Sequence, residues 1–138
     1  MSVVRGKRGV TKLKVIDEAE KLANYTVNVV SNEKHFPKRY RWIFSSKIGD
    51  SALKVNAYCH EANSFQPKDK EEMKIRLKFI VMAIAEASAL LSYISLAKQQ
   101  RDIDLSNVEY WLTTATYVKT LLLKWREASR KQMLEMPE

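Results

Sequence analysis

Apolar residues recur at three- and four-residue steps through four long stretches of this chain, and the breaks between the stretches are short. A stripe with that spacing follows one face of an α-helix and must be buried against something. In the first stretch it consists of Val15, Ile16, Ala19, Leu22, Ala23, Thr26, Val29 and Val30, with Asp17, Glu18, Glu20 and Lys21 on the wet side. Thr11 is the expected N-cap, and the helix is expected to reach about Lys34. Phe36-Pro37 ends it, because proline fixes its own φ and biases the preceding residue away from the α region. The second helix is predicted from about Pro37 to Asn63, with its seam along Phe44, Ile48, Ala52, Val55, Cys59 and Ala62. Gly49 lies inside it at a cost of ~1 kcal/mol relative to alanine, which makes it a place to look for a close helix crossing. Lys47, Asp50 and Lys54 form a row on the opposite face, expected to be a solvated ion-pair ladder of little energetic weight.

The third helix is predicted from Pro67 to about Gln99, with Asp69, Glu71 and Glu72 well placed in its first turns. Its seam is Met73, Leu77, Ile80, Ile84, Ala87, Leu91 and Ile94. The fourth opens on Ser106 with Glu109 three residues later, the pattern of a capping box. Its seam is Val108, Trp111, Ala115, Val118, Leu122, Trp125 and Ala128. Short connections make successive helices antiparallel. The expected fold is therefore all-α: an up-down-up-down four-helix bundle over residues 11–135, preceded by a flexible basic arm over residues 1–10.

The third helix departs from the others because it is apolar on nearly every side. Phe79, Val81, Met82, Ala85, Ala89, Leu90, Tyr93 and Leu96 lie off its seam. A membrane span would have about this length, but Glu86 sits near the centre, where a carboxylate costs ~2.5–3.5 kcal/mol. The other helices are amphipathic partners, so a helix buried twice is expected, once by its own bundle and once by a neighbouring subunit. The expected homo-oligomer interface is Phe79, Met82, Glu86, Leu90 and Tyr93, with the Glu86 carboxylate held by an ion pair or hydrogen bond across a helix interface.

Charge adds direction to this outline. The formal net charge is +8, with 12 Lys and Arg against 5 Asp and Glu in residues 1–60, and 12 against 11 in residues 61–138. A basic half points to nucleic acid, an acidic partner or an anionic surface. The bundle topology would gather Arg5, Lys7, Arg8 and Lys12 at one end with Arg126, Arg130 and Lys131. Lys38, Arg39 and Arg41 would sit at the other end, where a helix N-terminus following Pro37 could add its own attraction for a phosphate. These ten residues are the candidate nucleic-acid contacts.

Candidate chemistry is absent. The chain has no phosphate-cradling glycine loop, nucleophile elbow, paired-cysteine metal site or zinc-protease helix. Cys59 and His60 are neighbours and diverge by ~100° on a helix, so they cannot readily share a ligand. No catalytic residue, cofactor or metal is expected, and the protein is read as a non-enzyme. One cysteine forms no intrachain disulfide, and the first fifteen residues lack a signal-peptide apolar run, so the expected location is the cytoplasm.

A long helix ending in Phe36-Pro37-Lys38-Arg39, a second ending in Glu61-Ala62-Asn63, an apolar third and a fourth with Trp125 near its end resemble a known group. It is the accessory variability (Avd) group of diversity-generating retroelements, related to the four-helix-bundle proteins of 23S rRNA intervening sequences. The likeness covers about residues 12–130. The intervening-sequence branch usually carries a proline-containing run in helix 2. Ser51-Ala52-Leu53-Lys54-Val55-Asn56-Ala57 lacks that proline, and Glu61 is followed by Ala62 instead of glycine, which favours the Avd side. The resemblance implies a homopentameric barrel without catalytic residues, which binds RNA or DNA through basic surface and associates with a reverse transcriptase to support mutagenic cDNA synthesis. Lys38 and Arg39 match the family's post-proline positions. Two alternatives stay open: an intervening-sequence protein, or a structural bundle whose charge serves an acidic protein partner.

Overall fold

The computed structural model describes the backbone over residues 3–138 and side chains from Lys14 onward. Four α-helices carry the fold: α1 (Val3–Ser31), α2 (Ser46–Asn63), α3 (Lys70–Lys98) and α4 (Val108–Leu134). No strand occurs among the described residues. Each helix packs on its neighbours in the cycle α1, α2, α3, α4 and back to α1, which is a four-helix bundle.

The apolar stripes meet in one core. Val15, Ala19, Leu22, Ile48, Ala52, Val55, Cys59, Ala62, Ile80, Ala87, Ile94, Trp111, Ala115, Val118 and Leu122 are all buried in it. Burial also pushes the Cys59 thiol up to about 12, so it is a small core side chain and chemically inert. Two aromatic contacts fix the end of the bundle near the α1–α2 turn. Phe36 meets Trp111 edge-on at 6.4 Å, and Tyr25 meets it at 6.2 Å. The Trp111 indole Nε1 donates to Thr26 Oγ1 at 2.9 Å, satisfying both groups inside the core and tying α4 to α1.

Several local expectations are corrected. α1 begins at Val3, so Thr11 lies within the helix; once a packed segment is nucleated, extending it adds one hydrogen bond per residue. The expected arm thus overlaps a helix, and the side chains of its cations Arg5, Lys7 and Arg8, with Lys12 beyond it, lie outside the described residues. Pro67 does not start α3. The start belongs to Asp69, whose carboxylate accepts from the Glu72 N–H at 2.9 Å, while Glu72 Oε1 accepts from the Lys68 N–H at 2.7 Å. The box expected at Ser106 does not form: Asn107 is the N-cap of α4 without a side-chain cap, and Glu109 reaches Lys98 at 3.6 Å instead. No ion pair within 4 Å joins Lys47, Asp50 and Lys54; all three are solvated, where such pairing gains little.

The α3 seam is rotated from the expected one. Arg76, Ala83 and Leu90 are buried, while Leu77, Ile84 and Leu91 are half-buried. On α4, Ser129 is buried and Ala128 exposed. Arg76 is the larger surprise, because its guanidinium is inside (3 % exposed).

Gly49 is buried, and a Cβ added there would meet Val30 Cγ2 at 3.7 Å, ordinary van der Waals contact. The crossing does not require glycine. Gly49→Ala is expected to stabilise the protein by ~0.5–1 kcal/mol, measured as a higher urea midpoint with unchanged slope. A loss of stability would mean the α1–α2 contact is tighter than it looks.

Candidate nucleic-acid interface

The two ends of the bundle carry the candidate cations in different ways. At one end the chain leaves α1 at Ser31 and passes Phe36, buried against Trp111. It then turns at Pro37 (φ −55°, ψ 150°) into a 3-10 turn, Lys38–Tyr40, and a π-helical turn, Arg41–Ser45, before α2 begins. The Pro37 carbonyl accepts the Tyr40 N–H at 2.9 Å. This is not the α-helical N-terminus expected after Pro37, so the aligned N–H groups and dipole that would favour a phosphate are not assembled there.

The same turn is latched to the α3–α4 connection. His35 Nδ1 is hydrogen-bonded to the Asp104 carbonyl oxygen at 2.8 Å, and the Arg39 guanidinium pairs with Asp102. Lys38 lies 3.9 Å from Glu33. Arg39 also stacks over Tyr40, 5.0 Å from its ring centre. Of the three cations singled out behind Pro37, Arg41 alone has no acid within 4 Å among the described residues. It lines a cleft of about 270 Å³ together with Lys38, Ser31, Ser45 and Ser46.

At the opposite end the start of α3 lies beside the end of α4. The Lys70 N–H donates to the Pro137 carbonyl at 3.2 Å, and its ammonium meets Glu138 at 2.8 Å, which holds that carboxyl below its ordinary pKa. Arg76 secures the corner between α2 and α3. Its Nε donates to the Ala62 carbonyl at 3.3 Å and its Nη2 to the Phe65 carbonyl, while the guanidinium sits 5.8 Å from the Trp125 ring centre. Burial lowers its pKa, and no carboxylate pairs with it within 4 Å among the described residues. Arg76 therefore acts on carbonyl groups left open where α2 ends. A regular apolar seam conceals such a residue in the sequence; the sign was an arginine three residues after Met73 and four before Ile80, at core spacing.

The basic surface proper is on the outside of this end. Lys119, Arg126 and Arg130 follow one another at seven- and four-residue steps and share one flank of α4; Lys124 and Lys131, seven apart, share its exposed side. On α3 Lys70, Lys74 and Lys78 rise in four-residue steps. Lys74 is 3.8 Å from Glu71. Lys78, Lys124, Arg126, Arg130 and Lys131 have no acid within 4 Å among the described residues. Arg126 Nε is buried without a hydrogen-bond partner. The structure thus brings together the α4 half of the expected cluster, while its other half, Arg5, Lys7, Arg8 and Lys12, falls outside the described side chains.

The expected oligomer residues on α3 divide. Leu90 is fully buried in the bundle core and cannot face a second copy; the register that places Ile80, Ala83 and Ala87 inside places Leu90 there too. Phe79, Met82, Glu86 and Tyr93 are half-buried, and Phe79 stacks with Tyr58 at 6.4 Å and Phe65 at 6.3 Å. Glu86 makes no hydrogen bond or ion pair among the described residues, so its expected partner is not found within the chain. The exposed large apolar positions on α3 are Ile75, Val81 (44 %) and Leu96 (47 %). α3 is long and apolar enough to cross a membrane by length and composition, and only 28 % of its most apolar eighteen-residue stretch is buried.

The chain is similar to a protein of unknown function from the S23 ribosomal protein family of Bacteroides thetaiotaomicron, known from a crystal structure. The TM-score is 0.71 at 18 % identity, over 85 % of this chain and 98 % of that one. The likeness shows the shared helical fold. No protein-family model and no curated protein sequence matches the chain.

Proposed function

We propose that this is a non-catalytic, cytoplasmic accessory protein that binds RNA or DNA and associates with a retroelement reverse transcriptase to support mutagenic cDNA synthesis. The observation that carries the nucleic-acid part is the set of unpaired cations at the α3–α4 end, Lys78, Lys124, Arg126, Arg130 and Lys131. Cations without local acids keep their full field for a polyanion and release its counterions on contact. The association with a polymerase rests on the Avd-like pattern around Phe36-Pro37-Lys38-Arg39 and Glu61-Ala62-Asn63. A second reading, a bundle of the 23S rRNA intervening-sequence class, is favoured by the fold shared with a protein attributed to the S23 ribosomal protein family. The third, an acidic protein partner, predicts binding to that protein and none to nucleic acid.

Labelled RNA and DNA oligonucleotides titrated at 50 and 200 mM salt test the central claim. With about four phosphate contacts, affinity should fall by roughly 100-fold across that range. Undetectable binding at the lower salt would refute it. Co-purification with the products of neighbouring genes separates the two resembling groups, since a reverse transcriptase beside a template/variable repeat pair belongs to one and an rRNA gene to the other.

The exposed stripe of α3 is read as an interface between copies, not as a bilayer contact, because charged Lys74, Lys78 and Glu86 interrupt it. Each Leu- or Phe-sized side chain buried between copies contributes ~1.5–3 kcal/mol. Light scattering is expected to find an oligomer at micromolar concentration, a pentamer if the resemblance holds. Val81→Asp with Leu96→Asp should give monomers of unchanged helix content. A wild-type monomer would rule the interface out.

A further inference from the structure

Trp42 is 77 % exposed and Ile43 60 % exposed, on a π-helical turn directly behind the buried Phe36 anchor. The other two tryptophans, Trp111 (1 %) and Trp125 (4 %), are core residues. An indole held in water on an ordered element is costly, and π turns concentrate at functional positions. Its chain neighbour Arg41 has no acid within 4 Å among the described residues and, with Lys38 and the hydroxyls of Ser31, Ser45 and Ser46, lines the 270 Å³ cleft. Glu33 also lines that cleft, but Lys38 is within 3.9 Å of it.

The geometry points to a binding site for single-stranded nucleic acid in which a phosphate enters the Lys38–Arg41 cleft and an unpaired base stacks on the Trp42 indole. Charge selects this occupant. Arg41 adjoins Trp42 in the chain and is the cation of this turn without an acid within 4 Å among the described residues, whereas Lys38 and Arg39 face Glu33 and Asp102; an aromatic beside a free cation is the pattern that grips a strand by base face and backbone together. A duplex hides its base faces, so the site discriminates single from double strands without reading sequence. Hydroxyl groups and a forked guanidinium supply the donors that phosphate oxygens accept. The inference rests on the nucleic-acid reading above and adds a location, at the end of the bundle opposite the α4 cluster, and a preference for unpaired strands.

The protein contains its own reporter. With Trp111 and Trp125 buried, Trp42 dominates the iodide-quenchable emission. Titration of the full chain with oligo-dT and with oligo-U is expected to quench that emission and shield it from iodide. A blunt duplex of equal length should not. Trp42→Leu should weaken single-strand binding about 5- to 150-fold, the range given by loss of one stacked base, while Trp42→Phe retains most of the affinity. Arg41→Gln should flatten the salt slope on single strands by about 0.7. The emission of the buried pair confirms that each variant is folded. If the wild type binds single strands but Trp42→Leu binds them equally well, this site is refuted and the general reading survives. If Trp42→Leu instead changes the oligomeric state at unchanged affinity, the indole is a protein contact and the site is likewise refuted. No binding of any nucleic acid by the wild type would refute both.

Discussion

Replacing Arg76 by alanine is expected to destabilise the protein by about 2–4 kcal/mol, a fall in Tm of roughly 10 °C for a domain of this size. The side chain is inside the bundle and donates to two carbonyls, Ala62 at the last turn of α2 and Phe65 in the connection to α3. Truncation leaves both acceptors without a donor and removes the stem packed beside Trp125, opening a void at the corner where three helices meet. Relief from burying an unpaired charge offsets part of that loss. Arg76→Met should therefore be milder than alanine, since it keeps the stem and removes the charge. Arg76→Lys should fall between wild type and alanine, with one point donor where a fork had spanned two carbonyls. Urea denaturation of the three variants measures the order. A Tm within about 2 °C of wild type for alanine would mean that water satisfies the carbonyls and that the guanidinium is dispensable.

Changing Arg126, Arg130 and Lys131 together to glutamine is expected to reduce nucleic-acid affinity roughly 10- to 1000-fold at low salt. The slope of log affinity against log salt should flatten by about 2–3, one step for each phosphate contact removed. Arg130 and Lys131 are exposed, Arg126 is half-buried, and none has an acid within 4 Å among the described residues, so no ion pair masks the loss. The companion change of Lys38, Arg39 and Arg41 to glutamine should have a smaller effect on duplexes, because Asp102 and Glu33 already pair with Arg39 and Lys38. Equal effects of the two triples on duplex binding would contradict that difference. No effect of either would leave the positive charge as a matter of solubility.

The architecture was legible because burial imposes a period on the sequence. Val15 to Thr26, Ile48 to Ala62 and Trp111 to Trp125 were readable as stripes, and they are the core. The errors fall where the period is not the deciding quantity. On α3 apolar residues occupy nearly every side, so the pattern does not fix the rotation of the helix, and it is Leu90 that is buried while Leu77 is half-buried. Helix starts are under-determined for a related reason. Asp69 and Pro67 are both good openings, and only the hydrogen bond from Glu72 to Asp69 decides between them. Ser106 and Glu109 have the right spacing for a box, but the helix opens one residue later, at Asn107, and Glu109 lies beside Lys98 of the neighbouring helix. The cations behind Pro37 were visible in the sequence. Their neutralisation by Asp102 and Glu33 was not, because Asp102 lies on a different connection 63 positions further on. The exposure of Trp42 was equally hidden, since an aromatic near a helix start reads the same whether it faces core or water.

The state of Cys59 has a practical consequence for watching this protein at work. Buried and with its ionisation pushed up to about 12, it presents on the order of one thiolate per 10⁵ molecules at neutral pH, and the thiolate is the species that attacks a maleimide. Because the chain holds no other cysteine, a dye coupled to a cysteine introduced on the surface would label one position without any native residue being removed first. Ser92 on the exposed side of α3 and Ser106 in the α3–α4 connection are two such positions, the first one helical turn from Leu96 of the stripe read as a subunit contact and the second outside α3. Energy transfer between copies labelled at each would then map neighbours in an assembly by distance, with the core left intact.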